Sequence, residues 1–147
     1  MTDIAHLALG VRDPARSLAF YRDVVGLEGA VREADFGLVV TTPKGFTFSL
    51  IRDDPPEHLG EVHFGVALPD GEAVGTRRAE LAVMGIPEVD WWVEPGFVSL
   101  KVADPDGYVV EFFWEGSGEP MQPETDDTHL PVPAPHLGGP TFKNHEI

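Results

Sequence analysis

The chain contains no cysteine. That removes disulfides, thiolate nucleophiles and sulfur-ligated zinc or iron–sulfur centres. Positive charge is also scarce: 10 Lys and Arg stand against 25 Asp and Glu, a formal net charge of −15. Binding to a duplex or an anionic membrane needs a basic face, so no nucleic acid and no membrane are expected as partners. No apolar run approaches the ~18 residues of a membrane span. Met1-Thr2-Asp3 lacks the basic start of a signal peptide, and His6 interrupts the apolar stretch behind it. There is no Gly-x-Ser-x-Gly elbow, so nucleophilic hydrolysis has no candidate residue. These absences predict a cytoplasmic globular protein whose partner is a small-molecule substrate or ligand.

What is present is unevenly distributed. The 147 residues are 42% hydrophobic, enough for one domain with a real core. From residue 115 onward the composition changes: six of the 14 prolines and six acids fall in 115–147, with one Lys. Such a segment favours extended polyproline-II paths over helices or ladders. The folded domain is therefore 1–114, and 115–147 is a Pro-rich acidic tail. Its apolar Leu130, Val132, Leu137 and Phe142 suit an arm that wraps the body or a partner, and a free disordered tail is the alternative.

Within 1–114 an order of elements repeats. Ile4 to Val11 reads as a strand, and Asp13-Pro14 as a helix start with a capping carboxylate and Pro at the first helical position. Leu18, Tyr21 and Val25 follow at helical spacing until Gly26, and strands are expected near 28–33, 36–42 and 46–52. Asp53-Asp54-Pro55-Pro56 breaks the pattern, which then restarts. Val62 to Leu68 is a strand, and Asp70-Gly71 opens a helix bearing Val74, Leu81 and Met84 that Gly85 ends. Strands near 89–93, 97–103 and 108–114 complete the second half, the last two joined by Asp104-Pro105-Asp106-Gly107. His6 precedes Asp13 by seven residues, and His63 precedes Asp70 by seven. The chain thus reads as two βαβββ modules, about 1–55 and 58–114, each too small to bury its own sheet. The expected class is α+β, the modules pairing about a pseudo-twofold into one curved, partly open eight-stranded sheet with helices on its convex face.

Strand parity assigns the faces. Val62, Phe64, Val66 and Leu68 oppose His63, Gly65 and Ala67. Val110, Phe112 and Trp114 oppose Val109, Glu111 and Phe113. Leu7, Leu9 and Val11 oppose His6, Ala8 and Gly10. The strongly apolar faces pack helices, and the small and polar faces line a cavity. His6, His63 and Glu111 all fall on the cavity side. Two imidazoles and a carboxylate there form a 2-His-1-carboxylate set, which holds a divalent metal and leaves positions open. Isolated strand histidines satisfied locally are the plain alternative, because parity does not give strand order.

His6-Leu7-Ala8-Leu9-Gly10-Val11 with Asp13, Ser17-Leu18-Ala19-Phe20-Tyr21 and Gly26-Leu27 form a first motif. Val62-His63-Phe64-Gly65-Val66 is a second, and Asp104-Pro105-Asp106-Gly107-Tyr108-Val109-Val110-Glu111 a third. With these motifs residues 4–115 resemble the vicinal-oxygen-chelate superfamily of lactoylglutathione lyases, extradiol ring-cleaving dioxygenases, fosfomycin-inactivating thiol transferases, methylmalonyl-CoA epimerases and bleomycin-binding proteins. The resemblance implies a glyoxalase-like fold, a homodimer, and His6, His63 and Glu111 as ligands of a divalent metal ion. Fe(II) or Mn(II) is expected, with Zn, Ni or Co as alternatives.

Departures from the family's patterns narrow the activity. Lactoylglutathione lyases carry a further Glu ligand at the position where this chain has Ser49, a poor ligand and a poor base. That favours a ring-cleaving or related oxygenase over glyoxalase chemistry. Ring-cleaving members place a Tyr where Lys101 stands here and add a His between the second and third ligands, which this chain lacks. The fosfomycin-type phosphonate Arg near the C-terminus is absent too, and an epimerase would need a carboxylate base beyond Glu111. Lys101 is the candidate catalytic residue, as an acid/base or as a partner for an anion, with a solvated strand-end Lys as the alternative. Ser49, Trp91, Phe97, Ser99 and Phe113 are the candidate substrate-binding residues. Of Trp91 and Trp92 one faces inward, to stack on a ligand or to pack the core. His58 and Glu61 flank the loop between the modules near the expected mouth, and His129, His136 and His145 lack ligand spacing. A protein that sequesters an aromatic antibiotic without turnover is the alternative function.

Overall fold

Alternation and capping produce the elements where they were expected. In the computed structural model, which describes residues 4–116, β1 spans His6–Val11 and α1 spans Pro14–Phe20. The Asp13 carboxylate caps α1 by accepting from the amides of Ala15 and Arg16 at 3.0 and 3.1 Å. The helix then widens into a π-helical turn, Tyr21–Val25, and ends at Gly26, whose φ of 83° is left-handed. Three strands follow: β2 (Ala30–Ala34), β3 (Gly37–Thr41) and β4 (Thr47–Arg52). The second module repeats the order with β5 (His63–Ala67), α2 (Gly71–Val83), β6 (Glu88–Glu94), β7 (Phe97–Ala103) and β8 (Val109–Glu115). Asp70 caps α2 through the Ala73 amide at 2.7 Å. Met84 is not on the buried stripe of α2; it lies past its end and is exposed, because Gly85 turns the chain away.

The α+β class and the two βαβββ modules are as expected. The eight strands, however, form two four-stranded sheets rather than a single one. The orders are β1-β4-β3-β2 and β5-β8-β7-β6, with β1 parallel to β4, β5 parallel to β8 and the other pairs antiparallel. Among the described residues β1 and β5 are therefore edge strands, each with a ladder on one side only.

Both modules contribute to one core, which includes Leu9, Val11, Tyr21, Val40, Phe48 and Leu50 from the first and Val74, Leu81, Leu100, Val110 and Phe112 from the second. Tyr21 joins them. Its ring lies 4.7 Å from that of Phe48 and stacks at 6.1 Å on that of Phe64, and its hydroxyl donates to Asp104 Oδ2 at 2.8 Å. The other Asp104 oxygen accepts from the amides of Asp106 and Tyr108, which shapes the Asp-Pro-Asp-Gly turn. That turn docks on the first module. Asp106, its side chain fully covered, faces Arg12 and Arg16 at 3.6 and 3.7 Å, and Tyr108 donates to the Gly10 carbonyl at 2.8 Å. Burial raises the Asp104 pKa, against the lowering effect of the Tyr21 hydroxyl and the two amides. Burial and the Asp104 charge together push the Tyr21 hydroxyl upward. Because the apolar faces of both sheets are spent on this shared core, the opposite faces, which carry His6 and His63, are the outer ones. The tail lies outside the described residues from 117 onward.

Candidate metal centre

The outer face of the second sheet can be laid out row by row from its register. His63 pairs with Val109, Gly65 with Glu111 and Ala67 with Phe113. Glu111 pairs with Lys101 and Phe113 with Ser99, while Lys101 pairs with Asp90 and Ser99 with Trp92. Paired residues point to the same side. His63, Glu111, Lys101, Ser99, Phe113 and Phe97 therefore share one face, as parity required.

Two of the three expected ligands meet there. His63 Nδ1 lies 2.8 Å from the Glu61 carbonyl, which can only accept, so that nitrogen carries the proton. The contact leaves Nε2 turned toward Glu111, 3.5 Å from Oε2. The Ser99 hydroxyl donates to Glu111 Oε1 at 2.5 Å and holds the carboxylate, whose side chain is 14% exposed. In a neutral ring, Nε2 and Oε2 are two acceptors facing each other, an arrangement that a cation between them relieves. Two donors each about 2.1 Å from one ion are roughly 3.0–3.4 Å apart for angles between square and tetrahedral. At 3.5 Å the pair stands just beyond that span; its nitrogen and oxygen donors suit a divalent ion, and a carbonyl behind the ring sets its orientation.

His6 does not join them. It lies exposed on the first sheet, paired with Thr47, and among the described residues no three His, Asp or Glu side chains come together to hold an ion. The physical reason is the shared core: it places the two histidine-bearing faces on separate sheets. Ser49 is on the same face as His6, in the row of Ala8 and Val39, and is 5% exposed. It matches Glu111 within the repeat, and it is not at the His63–Glu111 pair.

Trp91 is a correction. It packs against the core, with the Arg78 guanidinium 4.5 Å from its ring and held there by Glu88. The Glu111 face carries Trp92 instead, 37% exposed. The two-residue turn Pro95-Gly96 pairs Glu94 with Phe97 and hence Trp92 with Ser99, a signal already in the sequence. Asp90, not singled out by sequence reasoning, is brought beside Lys101, with Oδ2 3.9 Å from Nζ. A register shift between Glu88 and Asp90 obscures it in a parity count. Of the loop residues, Glu61 acts through its carbonyl and His58 is exposed. His129, His136 and His145 lie outside the described residues.

Comparison with known proteins agrees with this architecture. The family model described as Glyoxalase/Bleomycin resistance protein/Dioxygenase superfamily matches residues 3–112. The chain is 28% identical over 119 residues to a catechol-2,3-dioxygenase of Bacillus subtilis (strain 168), covering 76% of this chain but only 41% of that longer relative. Among solved structures, a possible glyoxalase from Bacillus cereus superposes with a TM-score of 0.66 at 20% identity, over 76% of this chain and 98% of the other. A lactoylglutathione lyase from Agrobacterium tumefaciens gives 0.62 at 22% identity, over 77% and 93%. At these identities the superpositions speak for the fold alone.

Proposed function

The chain belongs to the Glyoxalase/Bleomycin resistance protein/Dioxygenase superfamily, and on that premise we propose that it is a metal-dependent enzyme acting on a small substrate with two adjacent oxygens, by oxygenase or ring-cleaving chemistry. The observation that carries this is His63 Nε2 facing Glu111 Oε2 at 3.5 Å, with the ring turned by the Glu61 carbonyl. Ser49, where the fourth ligand of a lactoylglutathione lyase, a second carboxylate, would sit, counts against glyoxalase chemistry. The distant similarity to a catechol-2,3-dioxygenase supports the oxygenase side.

The third ligand is His6 of a second copy. Among the described residues no third donor reaches the pair on β5 and β8, and His6 is exposed on the edge strand β1. A homodimer that brings β1 of one copy to β5 of another completes a 2-His-1-carboxylate set twice. Fe(II) or Mn(II) suits those N and O donors, and when bound such an ion polarises two substrate oxygens and can accept dioxygen. This chain's residues do the rest. Ser99 holds the Glu111 carboxylate, Lys101 offers positive charge beside it, and Phe97, Phe113 and Trp92 form an apolar floor that limits water. Sequestration of an aromatic ligand without turnover is a second reading, supported by that same floor.

Metal analysis of protein purified without chelators, beside His63→Ala, tests the proposal. About one ion per chain in the wild type and none in the variant is expected. Equal metal in both overturns it. Consumption of dioxygen with a catechol separates the enzyme from the sequestering protein.

A further inference from the structure

The row of residues through Glu111 has a composition that bears on the ligand. Across four strands it reads Asp90, Lys101, Glu111, Gly65. We propose that this face selects a planar aromatic anion, with Phe113 as its stacking surface and Lys101 as the contact for its negatively charged substituent. The inference rests on the reading of His63 and Glu111 as metal donors and specifies the ligand they share.

The stacking surface follows from Gly65. A glycine inside a strand weakens it, so its presence calls for a reason. A Cβ at Gly65 would lie 2.8 Å from Phe113 Cε1 and 3.0 Å from Cδ1. The Phe113 ring therefore covers Gly65 and reaches the strand of His63, immediately beside the Glu111 row. Phe97 continues the surface, its ring centroid 6.5 Å from that of Phe113. A ligand whose two oxygens meet the His63–Glu111 pair lays its ring on Phe113.

The charge preference follows from Lys101. Its side chain is 24% exposed, and its ammonium has three donors. The Asp90 contact at 3.9 Å is too long for a hydrogen bond, and no other partner for Nζ is found among the described residues. A largely covered ammonium with donors to spare, on the residue that pairs with Glu111 across the ladder, suits a carboxylate next to the oxygens that meet the metal. Asp90 is the positioning residue that keeps the amine over the sheet while no ligand is present.

Anaerobic calorimetry on the full chain loaded with Mn(II), with catechol and 2,3-dihydroxybenzoate as probes, tests this in wild type and Lys101→Gln. The carboxylated probe is expected to bind wild type about tenfold tighter than catechol or more, and that ratio to fall to about one in Lys101→Gln. Equal affinities in the wild type, or a preference that survives in the variant, overturn the inference. If Mn(II) and catechol bind but the carboxylate confers nothing, the metal reading stands and the anion inference alone falls. If Mn(II) is not taken up, both fall.

Discussion

Replacing Tyr21 by Phe removes one atom from the joint between the modules. The ring contacts with Phe48 and Phe64 stay; what goes is the hydroxyl that donates to Asp104 Oδ2 at 2.8 Å. Asp104 is 5% exposed, so water does not replace that donor freely. A hydrogen bond to a charged acceptor contributes about 1.5–3 kcal/mol, which sets the loss near pH 7 at about 2 kcal/mol. For a domain of this size that lowers Tm by about 8 °C. The loss depends on pH with a definite sign. Burial raises the folded pKa of Asp104 above the usual aspartate value, so the folded state holds the proton more tightly than the unfolded one. Stability from this group is then greatest in acid and falls as pH rises from about 3.8 through the raised folded value. The phenol lowers that folded value, and without it the window extends further upward. The deficit of Tyr21→Phe is therefore larger at pH 7.5 than at pH 4, because protonation of Asp104 weakens the bond toward the roughly 1 kcal/mol of a neutral pair. Urea unfolding followed by tryptophan fluorescence at both pH values measures it. In an Asp104→Asn background the pH dependence of the deficit should vanish. A deficit below about 0.5 kcal/mol, or one equal at both pH values, refutes the reasoning.

Two further outcomes follow from the sheet faces. His6→Ala and Glu111→Ala chains are each expected to bind no metal tightly alone; mixed and refolded together, they should recover about a quarter of the wild-type sites, because half the dimers are mixed and each mixed dimer has one intact set. Metal content after desalting reads this, and no recovery on mixing argues against a shared site. Gly65→Ala places a Cβ 2.8 Å from Phe113 Cε1, so the ring must shift; catechol affinity for the Mn(II)-loaded protein should fall several-fold while urea stability changes by no more than about 1 kcal/mol. Unchanged affinity in that variant would remove Phe113 from the site.

Much of this protein was legible before its structure. Asp13 and Asp70 announced both helices because a carboxylate ahead of a helix satisfies amides that nothing else can, and both do so. The spacing of His6 from Asp13 and of His63 from Asp70 disclosed the two modules. Alternation put His63, Glu111, Lys101, Ser99, Phe97 and Phe113 on one face, as their register confirms. These are local properties: a strand's two-residue period and a cap's reach depend on neighbours in the chain.

Tertiary structure decided the rest. Parity gives each sheet an apolar face but does not say what covers it. Tyr21 reaching Asp104 and Phe64, and Arg12 and Arg16 reaching Asp106, bind the helix-bearing faces of both modules to each other. That choice leaves two four-stranded sheets with open edges at β1 and β5, and it keeps His6 apart from His63 and Glu111. It also turned Trp91 into the core and Trp92 outward, since packing beneath Arg78 outweighs any reading of two consecutive aromatics. Local sequence determined which side chains each face carries. Long-range burial, which rewards whichever apolar surfaces fit together, decided which faces meet.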